Sequence, residues 1–146
     1  MTLAVTPYLI VSGADRALAW YKDALGAREL VRLGAPDGRV GHAEIEIGDS
    51  RIMLADESPE MNAHAPAHHN GSPVSFVLHV ADVDAVVAKA VAAGAALTSA
   101  IEDKLYGERM GSIRDPFGHT WHVTTHIEDV TPEEIERRVQ SMMKSG

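Results

Sequence analysis

The chain has 146 residues, 45% hydrophobic and 23% charged, which suits one compact domain of ordinary soluble composition. Its formal charge of −8 argues against a phosphate-tracking nucleic-acid surface, and the absence of cysteine rules out disulfides, thiolate metal sites and cysteine nucleophiles. No stretch reaches the roughly 20 uninterrupted apolar residues of a membrane helix, so a cytoplasmic protein without nucleic-acid or membrane partners is expected.

Residues 4–11 alternate as a strand, and no basic residue precedes them as a signal peptide would require. Ala17, Leu18, Tyr21 and Leu25 follow at helical spacing, with Gly26 where a helix C-cap belongs and Trp20 and Tyr21 expected in the core. Three strands are predicted at 28–33, 39–47 and 51–57, separated by Ala35-Pro36-Asp37-Gly38 and Gly48-Asp49-Ser50. Residues 58–73 contain Pro59, Asn62, Pro66, Asn70 and Gly71 without periodicity and read as a connecting loop. Beyond it come a strand at 74–80 and a helix with Val83, Val86, Val87, Ala90 and Val91 on one face. Strands near 96–101, 108–114 and 119–126 follow, the last after the turn Asp115-Pro116-Phe117-Gly118. Thr131-Pro132-Glu133-Glu134 is an N-terminal helix signal, giving a C-terminal helix over about 131–144 with Ile135, Val139 and Met142 on its apolar face.

The two halves repeat one another. Thr6 falls on Ser75 at an offset of 69, and Leu54 falls on His122 at an offset of 68, one residue being lost in the second helix. The expected fold is therefore α+β: two β-α-β-β-β modules, about 4–57 and 74–128, forming curved mixed sheets around a cup, plus the C-terminal helix. A single domain spanning residues 1–146 is expected, because each half alone would be marginal.

Strand alternation puts His42, Glu44 and Glu46 on one face and Ala43, Ile45 and Ile47 on the other, toward a helix. The same parity groups Tyr8 with Thr6, Asp56 with Leu54, Val77 and His79 with Ser75, and Thr124 and His126 with His122, while Trp121 points toward helix packing. Tyr8, His42, Leu54, Asp56, Ser75, Val77, His79 and Thr124 thus form the expected ligand-binding lining. Arg109 and Arg114 stand beside the mouth, either to hold an anion or to form salt bridges. Glu44 and His122 are the candidates for proton transfer in an apolar cup. His42 and Glu44 read equally as a hydrogen-bonded structural pair. With His122 they could instead hold a relocated divalent metal. His64, His68 and His69 cluster in the connecting loop, where adventitious metal binding is the expectation. The chain has no glycine-rich phosphate loop, no Gly-x-Ser-x-Gly elbow and no HExxH.

The paired modules, the Trp20-Tyr21-Lys22-Asp23-Ala24-Leu25-Gly26 stretch and Arg114-Asp115-Pro116-Phe117-Gly118-His119-Thr120-Trp121 together resemble the vicinal oxygen chelate superfamily. That superfamily holds glyoxalase I, extradiol dioxygenases, fosfomycin-resistance enzymes and bleomycin-binding proteins. His42-Ala43-Glu44 and Tyr106-Gly107-Glu108-Arg109 look like its PhnB-like branch. The resemblance implies a homodimer, and in metal-dependent members a His/Glu cage whose matching positions here are Thr6, Leu54, Ser75 and His122. Only His122 is a competent ligand among these. The resulting expectation is a small-molecule-binding protein with no cofactor. The alternative is a divalent-metal-dependent isomerase, lyase or transferase using His42, Glu44 and His122.

Overall fold

The computed structural model describes residues 3–145. Its elements run β1 (Tyr8–Val11), α1 (Ala14–Leu25), β2 (Arg28–Gly34), β3 (Val40–Ile47), β4 (Ser50–Asp56), β5 (Ser75–His79), α2 (Val83–Ala92), β6 (Ala96–Asp103), β7 (Glu108–Arg114), β8 (Thr120–His126) and α3 (Pro132–Ser145). They form two open four-stranded mixed sheets, in the orders β1-β4-β3-β2 and β5-β8-β7-β6. In each, the module's first and last strands pair in parallel and the others pair antiparallel. The α+β two-module architecture expected from the repeat is the one observed.

The chain divides into two compact units. The first runs to Val74 and also takes Asp115–His119; the second takes Ser75–Arg114 and everything from Thr120 onward.

In the first unit, Leu9, Val11, Ala43, Ile45, Ile47, Ile52 and Leu54 are buried on the sheet face that meets α1, whose Ala14, Ala17, Leu18, Tyr21 and Ala24 are buried in turn. Helix α1 starts at Gly13, in a left-handed conformation with no side-chain cap of its own. Asp56 at the end of β4 supplies the missing acceptor: its Oδ1 accepts from the Gly13 and Ala14 N–H groups at 3.0 and 2.8 Å. Gly26 closes the helix in the left-handed conformation, as its C-cap position predicts. The Asp115–His119 turn is fixed by Asp115, whose Oδ1 accepts from the Phe117 and His119 N–H groups while Oδ2 accepts from the Tyr21 hydroxyl at 2.6 Å. Burial, then the Asp115 charge, holds the Tyr21 phenol well above its ordinary value, so it remains a donor.

The second unit packs Val83, Val87 and Ala90 of α2 toward the face bearing Ile113, Trp121 and Val123. Asp82 caps α2 by accepting from the Ala85 N–H at 3.1 Å, and Trp121 packs on Phe76 with ring centroids 4.9 Å apart. Thr131 caps α3 by accepting from the Glu134 N–H at 3.1 Å.

Some expectations needed correction. Strand β1 begins at Tyr8 rather than residue 4, because Pro7 has no N–H to give to a ladder and only its carbonyl pairs, accepting from the Met53 N–H. The connecting loop holds two short 3-10 turns, Pro59–Met61 and Pro66–His69, each opened by proline and ended by a left-handed asparagine. Val91 of α2 and Val139 and Met142 of α3 are exposed, so those apolar faces are wider than the surface each helix buries.

Candidate functional site

The first sheet turns Tyr8, His42 and Glu44 to the face opposite α1, and a hydrogen-bonded chain joins them. The Tyr8 hydroxyl lies 2.8 Å from His42 Nδ1, His42 Nε2 lies 2.9 Å from Glu44 Oε2, and Arg51 Nη1 donates to Glu44 Oε1 at 3.3 Å. Because β4 lies between β1 and β3, the Tyr8–His42 bond spans it. On this face β4 presents Met53, paired with Tyr8, and Ala55, paired with Ile10. Burial, followed by the Glu44 charge, raises the Tyr8 phenol above its ordinary value.

Beside this chain the unit opens a cleft of about 430 Å³. Tyr8, Ile10, Val40, Ala55 and Met61 give it an apolar floor, and Asp37, Arg39, Asp56, Glu57 and Glu60 contribute charge. Arg39 donates to Asp37 at 2.7 Å and to the Glu57 carbonyl at 2.6 Å, and lies 3.6 Å from Glu60. Four carboxylates against one guanidinium leave the lining net negative. Of these residues, sequence reasoning named only Tyr8 and Asp56. Ile10, Val40 and Ala55 lie on strands β1, β3 and β4, and the rest come from or beside the Pro36-Asp37-Gly38 turn and the connecting loop, whose path no periodicity fixes. A smaller recess bounded by Tyr8, Ile10, His64, His69 and His119 adjoins the same residues.

The last strand of the first module is placed differently from the expected alignment. Tyr8 pairs with Met53, and Val77 with His122, so His122 matches Met53 at an offset of 69. The residue lost in the second helix is regained in the longer turn before β8, which restores the first-strand offset. Leu54 therefore lies on the α1 side, fully buried opposite Ala43, and not in the binding lining. Asp56 shares its parity; its carboxylate serves Gly13, Ala14 and Val40 N–H groups and reaches the cleft only as part of its wall.

In the second unit, both ring nitrogens of His122 are engaged by hydroxyls: Nδ1 lies 2.7 Å from Ser112 Oγ and Nε2 lies 3.1 Å from Ser75 Oγ. Ser112 went unnoticed in the sequence, although it stands opposite His122 in the β7–β8 ladder. Val77 and His79 are exposed along β5. Thr124 is buried and donates to Glu108, which also pairs with His126 at 2.6 Å. His126 reaches Asp129 at 2.6 Å through its other nitrogen. Arg109 forms salt bridges, one of the two roles expected of it: its guanidinium clamps Asp84 of α2 at 2.9 and 3.0 Å and Asp103 of β6 at 2.9 Å. Arg114 is exposed at the strand end opposite Thr120.

The metal-cage positions implied by resemblance become Thr6, Met53, Ser75 and His122 in the observed register. One imidazole engaged by two serines, two hydroxyls and a thioether do not fit a cage for a hard divalent ion. His64 and His68 stack face to face, centroids 3.7 Å apart and planes at 9°, so their nitrogens do not converge on one point. Among the described residues, no three His, Asp or Glu side chains are grouped to hold a metal.

Comparison with known proteins agrees with the fold. An uncharacterized protein of Mycobacterium bovis is 38% identical over 141 residues, covering 94% of this chain and 93% of its own. An Arabidopsis thaliana gene product of known X-ray structure is 30% identical with a TM-score of 0.68, over 84% of this chain and 98% of that one. TioX from Micromonospora sp. ML1 is 29% identical with a TM-score of 0.66, over 86% of this chain and 100% of that one. With its paired modules, and with a profile match over residues 3–123, this chain belongs to the Glyoxalase/Bleomycin resistance protein/Dioxygenase superfamily.

Proposed function

We propose that the chain is a small-molecule-binding member of the superfamily, in its PhnB-like branch, which takes its ligand in the first-unit cleft and needs no resident metal. The observation that carries this reading is the cleft itself. Its volume, about 430 Å³, falls in the range of ligand pockets, and it pairs an apolar floor with a few fixed polar groups. The proposal includes a cytoplasmic homodimer, supported by family resemblance and by the exposed Val139, Met142 and Met143 of α3.

A thermal-shift screen of aromatic amines, aromatic acids and neutral aromatics tests the reading. At least one class should raise the melting temperature in a saturable way, and replacing Ala55 by Phe, which fills the floor of the cleft, should remove the shift. No stabilisation by any class would overturn it. The Tyr8–His42–Glu44 chain also supports a second reading, an isomerase or lyase in which Glu44 drives proton transfer through His42. Turnover abolished by Glu44→Gln, with ligand binding retained, would favour it over simple binding.

A further inference from the structure

The hydrogen-bonded chain beside the cleft has a direction, and that direction selects a ligand. Glu44 is a carboxylate held by Arg51, and a carboxylate can only accept. For a neutral His42 ring, this places the proton on Nε2 and leaves Nδ1 bare as an acceptor. In that tautomer the Tyr8 hydroxyl, 2.8 Å from Nδ1, spends its single proton on that nitrogen. What Tyr8 retains is the oxygen lone pair, on a side chain that lines both the main cleft and the smaller recess. The remaining polar lining is mainly carboxylate, and its one guanidinium is already engaged with Asp37, Glu60 and the Glu57 carbonyl. Acceptors surround an apolar floor.

We infer that the cleft selects protonated amines or related N–H-bearing cations on a flat apolar body, with Tyr8 Oη as the acceptor whose polarity His42 and Glu44 fix. This rests on the small-molecule-binding reading above. A neutral ligand gains nothing from the net negative lining. An anion meets like charge. A quaternary cation gains the charge but has no N–H for Tyr8, so charge and hydrogen-bond polarity together specify the class.

Isothermal titration calorimetry on the full chain separates these terms with three probes of one shape: naphthylmethylammonium, its trimethylammonium counterpart and neutral naphthylmethanol. The ammonium should bind about tenfold more tightly than either of the others. Tyr8→Phe should bring the ammonium-to-trimethylammonium ratio close to one, chiefly by weakening the ammonium. Glu44→Gln is a second variant with the same side-chain shape. Its amide can donate to His42 Nε2, moving the ring proton to Nδ1 and turning the Tyr8 proton outward, so the ammonium preference should fall there as well. Equal wild-type affinity for the ammonium and the trimethylammonium, or a ratio unchanged in both variants, overturns the inference while leaving small-molecule binding intact. No binding by any probe overturns the inference and the underlying reading together.

Discussion

At the residue scale, His126 is the side chain whose surroundings make the clearest statement about pH. It lies between Glu108 and Asp129, both at 2.6 Å, and these bonds raise its pKa above the ordinary 6.5. In turn, Glu108 is held below its ordinary value by His126 first and by Thr124 next. A raised histidine contributes stability that is complete below its unfolded pKa and lost as pH rises through the folded one. A depressed carboxylate contributes above its unfolded pKa and loses that contribution as pH falls through its folded value. The tie between β8 and Asp129 should thus be strongest from mildly acidic pH up to the raised histidine value. An NMR titration of the His126 ring should show a midpoint above 6.5, lowered by Glu108→Gln; a midpoint at or below 6.5 in the wild type would contradict the geometry. Single residues were partly legible in the sequence. Alternation alone put His42, Glu44 and His122 on the faces they occupy, since a strand's period leaves no choice once its span is known. It failed at Leu54, because one extra residue in a turn shifts every side chain after it to the other face.

At the element scale, the sequence made helices and strands plain but not what caps them. Helix α1 has apolar periodicity and a C-terminal glycine, both visible in the chain. Its N-terminal acceptor comes from Asp56, 42 residues away from Ala14, and no local pattern announces that. The same carboxylate also accepts from the Val40 N–H at 2.8 Å, so one side chain ties α1, β3 and β4. Asp56→Ala should lower stability by about 1–3 kcal/mol, the range for losing a cap and leaving part-buried N–H groups unpaired. Asp56→Asn should fall between, since its amide keeps one acceptor oxygen for Gly13 and Ala14 but offers Val40 a donor. Urea denaturation of both variants reads this directly; an Ala variant as stable as the wild type would mean that α1 does not depend on β4 for its cap. The Asp115–His119 turn teaches the same lesson. Its Asp-Pro-Phe-Gly sequence marks a turn between β7 and β8, yet only the fold reveals its place in the first unit, held by the Tyr21 hydroxyl.

At the scale of the whole molecule, the duplication carried most of the information. Two copies of β-α-β-β-β predict two sheets with the same strand order, because the same hydrophobic pattern pairs the same strands twice, and both sheets have it. The copies have not kept the same chemistry. On β4 and β8 the matched residues are Met53 and His122, and the histidine is bonded to Ser75 and Ser112. A divalent ion at His122 would have to displace a hydroxyl from one ring nitrogen while finding no carboxylate or second imidazole at the matching positions. Native mass spectrometry on tag-free protein, purified without chelator and then dialysed, tests metal content and assembly in one spectrum. The expected mass is that of a homodimer holding well under one divalent ion per chain, unchanged by chelator. A dimer carrying one ion per chain would mean that metal-dependent chemistry has found other ligands, and His42→Ala and Glu44→Ala should then each strip the ion. A spectrum of monomer alone at micromolar concentration would instead remove the dimer and leave the cleft, which is built within one chain, as the unit of function.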